Sequence, residues 1–224
     1  MMNIVVSGAD GNLGSAVVDK LLEENAQLCG LYSNAEKVKA ETRPITKYAA
    51  DLTDSEESKN VVHQAKSALG ALHGAVLTVG GFAMGNIKNT SAEDIEKQIR
   101  LNFFTAYNMV KPLMQQMEQG GHIFLVGAKP VLNRNEMKDK LAYGLAKQLL
   151  FNLAEVINAD RDKTGIQCSV IVPSIIDTPP NRESMPKANY NDWVKPEEIA
   201  DTIYYHLTHP YLKEATIKTY GNVT

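Results

Sequence analysis

Hydrophobic residues recur along the chain in short runs, separated by longer stretches in which the apolar positions follow helical spacing. Seven such runs predict β-strands at residues 4–7, 27–32, 45–49, 74–79, 122–126, 167–172 and 215–219. The stretches between them predict α-helices at residues 13–24, 55–69, 91–116, 139–163 and 196–207. Runs that are apolar throughout, such as 169–172, are typical of a parallel sheet that is covered on both faces. The pattern therefore predicts an α/β fold over residues 1–224: one domain, a Rossmann-like doubly wound parallel sheet of about seven strands flanked by helices.

The composition favours small-molecule chemistry over macromolecular binding. At 224 residues with 44% hydrophobic content, the chain is long enough for one sizeable core. A net charge of -3 without a basic cluster argues against nucleic acid as the main partner, because phosphate neutralisation needs concentrated Lys and Arg. The sequence shows no signal peptide and no apolar run of membrane-spanning length. We therefore expect a cytoplasmic protein that acts on small molecules away from membranes.

The cysteines and histidines do not suggest a metal site or a disulfide framework. Cys29 and Cys168 both lie in predicted strands, where buried free thiols are common. The five histidines share neither a ligand-like spacing nor a nucleophile pattern, so we expect them to be solvated or to cap helices. No metal is expected.

Glycines follow the first predicted strand directly and precede the first predicted helix. Gly8 is expected to form the tight turn, Gly11 or Asn12 to face a pyrophosphate, and Gly14 to let the helix pack close to the strand. The N-terminal amides and dipole of that helix would attract the same negative charge. The spacing departs from G-x-G-x-x-G, and such turns also occur in proteins that bind no nucleotide.

Polar and glycine residues follow the other strands at the point where each strand ends. Because ligands of doubly wound sheets bind beyond the carboxyl ends of the strands, these clusters mark the expected site. They lie at residues 32–34, 51–54, 79–82, 127–129 and 173–178. The pair Gly80 and Gly81 would allow close approach of backbone to a ligand, although an ordinary loop also accounts for it.

Tyr143 and Lys147 are the candidate catalytic pair, because four-residue spacing places a phenol and an ammonium on one helix face. A free phenol has a pKa of roughly 10, and a nearby cation would make it a better proton donor near neutrality. Tyr107 and Lys111 have the same spacing, so the spacing alone is weak. Tyr143 is favoured because it comes near the start of a helix after a strand, whereas Tyr107 lies deep within a long helix and is expected in the core or an interface.

Over residues 7–178 the chain resembles the short-chain dehydrogenase/reductase family, whose motifs occur here in the family's order. The resemblance implies that Tyr143, Lys147 and Asn102 are catalytic, with Asn102 holding the long helix and a proton-relay water. One departure is that Ala128 stands where the family usually has a serine that hydrogen-bonds the substrate carbonyl. The implied dinucleotide-binding residues are Gly8, Asp10, Gly11, Asn12, Leu13, Gly14, Ser33, Asn34, Asp51, Leu52, Val79, Gly80, Gly81, Tyr143, Lys147, Pro173, Ser174, Ile176 and Thr178.

A narrower resemblance, to the dihydropteridine reductases, covers residues 80–86, 127–129 and 177–186, with Trp193 beyond. It implies reduction of a quinonoid dihydropteridine to the tetrahydro form by hydride from a nicotinamide, with Tyr143 donating the proton. Such an electrophilic substrate needs less carbonyl polarisation than a ketone, which makes the missing serine tolerable. Phe82, Ala128 and Trp193 are the implied substrate-binding residues, although Trp193 could equally pack a loop onto the sheet.

The expected cofactor is NADPH or NADH. Reductases of this type that favour NADH carry an Asp at the end of the second strand, whereas this chain has Tyr32, Ser33 and Asn34. Without that carboxylate, Ser33, Asn34 and Lys37 could accept a 2′-phosphate. We therefore predict use of both dinucleotides or a preference for NADPH.

Two alternatives remain, a short-chain reductase of other quinone or carbonyl substrates and a regulatory protein that senses NAD(P) without turning it over. The helices predicted at 91–116 and 139–163 carry more apolar surface than one sheet face covers, which predicts a homodimer and allows a tetramer. The residues expected at that surface are Leu145, Leu149, Leu150, Leu153 and Val156.

Overall fold

The fold is a seven-stranded parallel sheet with helices on both faces, in a computed structural model that describes residues 2–222. The strands are β1 Asn3–Ser7, β2 Gln27–Tyr32, β3 Thr46–Ala49, β4 Gly74–Leu77, β5 His122–Val126, β6 Gln167–Pro173 and β7 Thr216–Thr219. The helices are α1 Asn12–Glu23, α2 Ala35–Ala40, α3 Ser55–Leu69, α4 Ala92–Ile99, α5 Thr105–Gln116, α6 Lys129–Leu132, α7 Arg134–Met137, α8 Leu141–Ala159, α9 Arg161–Thr164, α10 Pro179–Ser184 and α11 Pro196–Thr208.

The strand order β3-β2-β1-β4-β5-β6-β7 confirms the predicted doubly wound topology. One helix layer, built from α3, α5 and α8, packs on one face of the sheet, and α1 with α11 covers the other. Strands β2 and β3 are added on one side of β1, and strands β4 to β7 are added on its other side. The loops that follow the neighbouring strands β1 and β4 therefore diverge. A crevice opens there at the carboxyl edge of the sheet, where such folds bind ligands.

Strand β4 is shorter than predicted, and the reason lies in Thr78. Its hydroxyl donates to the carbonyl oxygen of Ser7 (2.7 Å), and its N–H donates to the Ser7 hydroxyl (3.2 Å). Thr78 therefore turns toward β1 instead of extending the ladder with β5. The other strands agree with the prediction to within one residue at either end.

The long helix predicted at 91–116 is not a continuous α-helix. Between α4 and α5, Arg100–Phe104 form a π-helical turn. Side chains compete with the regular backbone pattern here, because Asn102 Nδ2 donates to the Gln98 carbonyl (3.2 Å) and Thr105 Oγ1 to the Leu101 carbonyl (2.8 Å). Such π turns are frequent at functional sites.

The structure also differs from the prediction in the extent of one helix, in an additional helix and in the burial of two histidines. The helix predicted at 139–163 begins at Leu141 and stops at Ala159, after which α9 ends at the left-handed Gly165. Helix α2 was not predicted; Asn34 caps it by accepting the N–H of Lys37. Two of the five histidines are not solvated as expected: His122 and His206 are buried. Cys29 and Cys168 are buried and free, as predicted.

Candidate active site

The turn between β1 and α1 leaves no space for a side chain at Gly8 or Gly14. Gly8 has φ of +64°, and a Cβ there would lie 2.8 Å from Thr78 Oγ1. A Cβ on Gly14 would overlap the carbonyl oxygen of Gly8. The first turn of α1 is therefore pressed directly against the backbone of the turn, as predicted for Gly8 and Gly14.

Helix α1 begins without a side-chain cap. Its N-cap is Gly11, in an extended conformation, and no side chain accepts from the first amides. The N–H groups of Asn12, Leu13 and Gly14 have no partner within the helix by its geometry. A negatively charged group placed before this helix would meet these donors and the positive end of the helix dipole.

A cleft of about 490 Å³ extends from this turn along the carboxyl edge of the sheet. Eight of the predicted dinucleotide-binding residues line it: Gly8, Asp10, Gly11, Ser33, Asp51, Leu52, Val79 and Gly80. Other residues that line the cleft were not expected from the sequence, among them Thr78, Leu101 and Thr105. Thr78 was missed because the predicted strand extended past it.

The far end of the cleft is lined by charged residues from three elements. Lys37 on α2 forms an ion pair with Asp10 of the glycine turn. Asn34, also predicted to contact the cofactor, caps α2 by accepting the N–H of Lys37, and its cofactor contact stays a prediction. The Asp51 carboxylate accepts hydrogen bonds from the hydroxyl of Thr53 (2.7 Å) and from the N–H of Thr53 (2.9 Å). These two hydrogen bonds lower the pKa of the Asp51 carboxyl.

Arg43 borders a second cleft beside this one and was not singled out from the sequence. Its guanidinium donates to the carbonyl oxygen of Ala9 (3.1 Å), to Ser15 Oγ (3.1 Å) and to Asp19 (2.8 Å). It also pairs with Glu41, and hydrogen bonds from Arg43 are the main reason that the pKa of Glu41 falls to about 2. No sequence pattern marks Arg43, because all of these partners except Glu41 lie 24 to 34 positions earlier in the chain.

Asn102 fixes the loop after β4 through two hydrogen bonds to one residue. Its Oδ1 accepts the N–H of Gly81 (3.1 Å), and its Nδ2 donates to the Gly81 carbonyl (3.0 Å). Asn102 is buried, and the π turn directs it toward this loop. A Cβ on Gly80 would lie 2.6 Å from Asn102 Oδ1 and 3.1 Å from Lys147 Nζ. Gly80 thus marks the point where Asn102 and Lys147 approach each other.

Lys147 and Tyr143 lie on the face of α8 that is turned toward the end of β5. Lys147 Nζ donates to the carbonyl oxygen of Val126, the last residue of β5 (2.8 Å), and lies 5.9 Å from the centre of the Tyr143 ring. Burial lowers the pKa of Lys147 to about 8 and raises the pKa of the Tyr143 phenol. The structure therefore brings Tyr143, Lys147 and Asn102 to one place, next to the glycines that follow β4.

Phe82 covers the open side of this group. Its ring meets that of Tyr143 edge to face, with 5.1 Å between centres and 70° between planes, and 60% of the residue is exposed. The loop is fastened to the start of α8, since Gly85 accepts the N–H of Leu141 (2.8 Å) and donates to the Asp139 carbonyl (2.9 Å). Ala128 follows β5 and is buried, so no hydroxyl is present at that position.

Tyr107, the alternative to Tyr143, lies elsewhere. It is 41% exposed on α5 and stacks on Phe103 at 5.8 Å. It therefore lies on the surface of the helix layer and not in the core, and an interface role for it stays a prediction.

Comparison with known proteins settles the family. The model of the short chain dehydrogenase family matches residues 2–189. The chain belongs to this family. Like its other members, it is an oxidoreductase, and short-chain dehydrogenases use NAD(P)H. Among the described residues, no helix is long and apolar enough to cross a membrane, and no three His, Cys, Asp or Glu residues are grouped to hold a metal ion.

Two relatives within this group carry different descriptions. A dihydropteridine reductase from Dictyostelium discoideum is 27% identical over 207 residues, which cover 90% of this chain and 86% of the relative. A cyclic-di-GMP-binding biofilm dispersal mediator protein from Escherichia coli (strain K12) is 25% identical over 183 residues, which cover 82% of this chain and 76% of the relative.

Solved structures of short-chain dehydrogenases share the fold over nearly all of the chain. An enzyme of the family from Serratia marcescens BCRC 10948 matches with a TM-score of 0.87 at 23% identity, covering 99% of this chain and 97% of its own. A blue fluorescent protein from a metagenomic library, solved in complex with NADPH, matches with a TM-score of 0.85 at 20% identity and the same coverage.

The remaining predicted residues of this short-chain dehydrogenase follow β6. Pro173 is the last residue of β6, Ser174 and Ile176 lie in the loop beyond it, and Thr178 caps α10. Trp193 is 5% exposed and packs against Tyr190, with 4.9 Å between ring centres. This burial favours the interpretation that Trp193 packs a loop onto the sheet over the interpretation that its ring contacts the substrate.

Proposed function

We propose that this short-chain dehydrogenase reduces a quinonoid dihydropteridine to the tetrahydropteridine with NADPH or NADH. In this proposal, residues 1–224 form a single dinucleotide-binding domain. The observation that carries the proposal is the convergence of Tyr143, Lys147 and Asn102 beside Gly80, with Phe82 over the phenol and Ala128 in place of a hydroxyl. The dihydropteridine reductase relative, 27% identical, supports the same substrate class.

The dinucleotide fits the residues present. The glycine turn has no side chain in the way of a pyrophosphate, and the uncapped first turn of α1 supplies donors to it. Asp51 and Leu52 would hold the adenine end, with Val79, Gly80 and Gly81 beside the ribose of the nicotinamide. When bound, the cofactor supplies a hydride to the substrate.

The chain's own residues supply and control the proton. The Tyr143 hydroxyl donates it to the substrate, and its raised pKa keeps the phenol protonated before transfer. Cationic Lys147 stabilises the phenolate that this transfer leaves. Beside Gly80, the same ammonium would also bind ribose hydroxyls of the dinucleotide. Asn102 holds the Gly81 backbone, which keeps the loop after β4 open to the nicotinamide.

Phe82 and Ala128 favour a flat, already electrophilic substrate. The exposed face of the Phe82 ring can stack on a pteridine, and its contact with Tyr143 places that ring next to the proton donor. Without a hydroxyl at position 128, a ketone substrate would lack one polarising hydrogen bond. We propose that Trp193 supports the same site indirectly, through its packing against Tyr190.

Lys37 and Ser33 are the proposed contacts of a 2′-phosphate at the adenosine end, where they share the cleft with Asp10. The Asp10 carboxylate already neutralises Lys37, so NADPH must compete for this lysine. We therefore propose use of both dinucleotides with a modest preference for NADPH.

The proposed enzyme is a cytoplasmic homodimer. Phe104, Tyr107, Leu145 and Val156, on the π turn, α5 and α8, are between 38% and 69% exposed, which provides an apolar surface for a second copy. Leu150 does not belong to that surface, because it is buried in the core of its own chain. Light scattering at micromolar concentration tests the dimer.

The test of the function is stopped-flow oxidation of NADH and NADPH with quinonoid dihydropteridine, with a simple quinone and a ketone as competing substrates. Tyr143→Phe is expected to reduce the rate on the order of a hundredfold or more with little change in dinucleotide affinity. Tyr107→Phe, with the same spacing to a lysine, is the matched control and is expected to leave the rate unchanged. Faster turnover of the quinone or the ketone would replace the pteridine proposal.

Binding of dinucleotide without turnover of any substrate would favour the regulatory alternative. The relative described as binding cyclic-di-GMP keeps that alternative open. An unchanged rate in Tyr143→Phe would overturn the assigned proton donor.

A further inference from the structure

The segment 174–178 lies between β6 and α10 and contains Ser174, Ile176 and Thr178, three of the proposed dinucleotide contacts. Its first residue is attached to the end of β7. The Ser174 N–H donates to the carbonyl oxygen of Thr219 (3.3 Å), and the Ser174 hydroxyl donates to the carbonyl oxygen of Tyr220. The position of this loop therefore depends on the backbone near residue 220.

The rest of the segment is attached to residues 192–194. The Val194 N–H donates to the Ile175 carbonyl (3.1 Å), and the Asp177 N–H donates to the Val194 carbonyl (2.8 Å). Together these hydrogen bonds form an isolated parallel bridge between Ile176 and Val194. Residues 192–194 thus hold the part of the loop nearest to α10.

Gly221 and Asn222 in turn hold residues 192–194. Gly221 has φ of +60°, and a Cβ on it would lie 2.8 Å from the Asp192 carbonyl oxygen and 2.9 Å from the Val194 nitrogen. The N–H of Asn222 donates to the Asp192 carbonyl (3.0 Å). This backbone-to-backbone contact requires glycine both for its left-handed conformation and for its closeness.

We propose that residues 219–222 form a clasp that positions segment 174–178 for dinucleotide binding, with Gly221 as its positioning residue. The proposal rests on the proposed function in one respect, since that assigns the dinucleotide contacts to this segment. The match to the family model includes segment 174–178 but not residues 219–222. Holding the loop in place before binding removes an ordering cost from the binding step.

Trp193 provides a signal from inside the clasped region. It is the one tryptophan of the chain, it lies within 192–194, and it is 5% exposed against Tyr190. Loosening of the clasp would admit water to its ring. Its fluorescence therefore reports the clasp without any need for turnover.

The experiment compares Gly221→Ala with Gly120→Ala. Both glycines have positive φ, at +60° and +86°, so alanine is strained at both, but a Cβ on Gly120 has no atom within 4 Å. Gly221→Ala is expected to shift the Trp193 emission to longer wavelength and raise the Kd of NADPH and NADH about fivefold, or about 1 kcal/mol, with kcat within about twofold. Gly120→Ala is expected to leave emission, Kd and kcat as in the wild type.

Ser174→Ala is the second variant, because it deletes the hydroxyl bond to Tyr220 without adding bulk. It is expected to shift the Trp193 emission in the same direction as Gly221→Ala and to raise the Kd by about twofold to threefold. Because Ser174 is itself a proposed dinucleotide contact, the emission and not the Kd decides the question if Gly221→Ala does not fold. Trp193 emission equal to the wild type in the variants that fold would overturn the clasp and leave the reductase proposal intact. Dinucleotide binding without reduction of any dihydropteridine would overturn the proposed function alone.

Discussion

The two ends of the site are built in opposite ways. At the glycine end, Ile4, Val5 and Val6 of β1 and Ala9 of the turn are fully buried. The backbone of α1 contacts the turn directly. At the substrate side, Phe82, Met84 and Ile87 are 60%, 67% and 80% exposed on the loop after β4. In the proposed function, the first region binds the dinucleotide with backbone groups, and the second presents side chains to the substrate.

This difference separates the part of the proposed site that would serve any dinucleotide from the part that would select one substrate. A pyrophosphate is the same in every dinucleotide, so a rigid backbone surface with an uncapped helix is sufficient for it. A substrate ring is recognised by shape and by stacking, which depend on side chains held by long loops. Substitutions at the turn should therefore abolish binding of every dinucleotide, and those at the rim should change one substrate at a time.

The largest effect is expected at the turn. Gly14→Ala places a methyl group on the Gly8 carbonyl oxygen, and we expect the dinucleotide Kd to rise on the order of a hundredfold. Gly70→Ala is the control, because Gly70 has φ of +78° but no atom within 4 Å of a Cβ. Fluorescence titration with NADPH measures both variants. Wild-type affinity in Gly14→Ala would show that the turn has more freedom than its packing indicates.

The next effect concerns pH. Burial lowers the pKa of Lys147 to about 8, so the lysine is cationic below that pH and neutral above it. The phenol keeps its proton across this range because its pKa is raised. We expect kcat to fall above pH 8, approaching a tenfold loss per pH unit. A profile of kcat from pH 6 to 10 measures this, and a flat profile would contradict the role of the cation.

Lys147→Arg sharpens that measurement. Arginine remains protonated throughout this range, so the fall above pH 8 should disappear, whatever the variant loses in absolute rate. A fall that persists unchanged in Lys147→Arg would assign the titration to another group.

A smaller effect is expected at the rim. Phe82→Ala removes the ring beside Tyr143, and loss of stacking worth about 0.5–1.5 kcal/mol should raise the substrate KM roughly twofold to tenfold. The KM of the dinucleotide should not change. Tyr211→Ala, at a ring that is 70% exposed on the loop after α11, is the control. An equal rise in both Michaelis constants would place Phe82 in the dinucleotide site instead.

The smallest effect is expected at the adenosine end. Lys37→Ala should lower the preference for NADPH over NADH by roughly twofold to fivefold, because the lysine is half exposed and already paired with Asp10. Lys39→Ala, also on α2, is the matched control. Comparison of kcat/KM with the two dinucleotides measures both. A ratio that stays constant in Lys37→Ala would exclude this lysine from phosphate recognition.

The glycine turn, the alternation of strands with helices and the four-residue spacing of Tyr143 and Lys147 were accessible from the sequence because each depends on local spacing. Gly8, Gly11 and Gly14 lie within seven positions, and one helical turn joins the catalytic pair. The π turn at Asn102 was not accessible, since its side chain bonds a loop 21 positions away. Arg43 and the clasp at Gly221 were missed for the same reason: their partners are distant in sequence.

The sequence by itself determined the succession of strands and long helices along the chain, the glycine turn and the candidate residues for the proton chemistry, because periodicity and local backbone constraints depend on neighbouring residues. The tertiary structure alone decided which helix carries an exposed tyrosine, which lysine meets Asp10, and how residues 219–222 reach segment 174–178. Those contacts join residues far apart in the chain, and only packing against the sheet determines which of them meet.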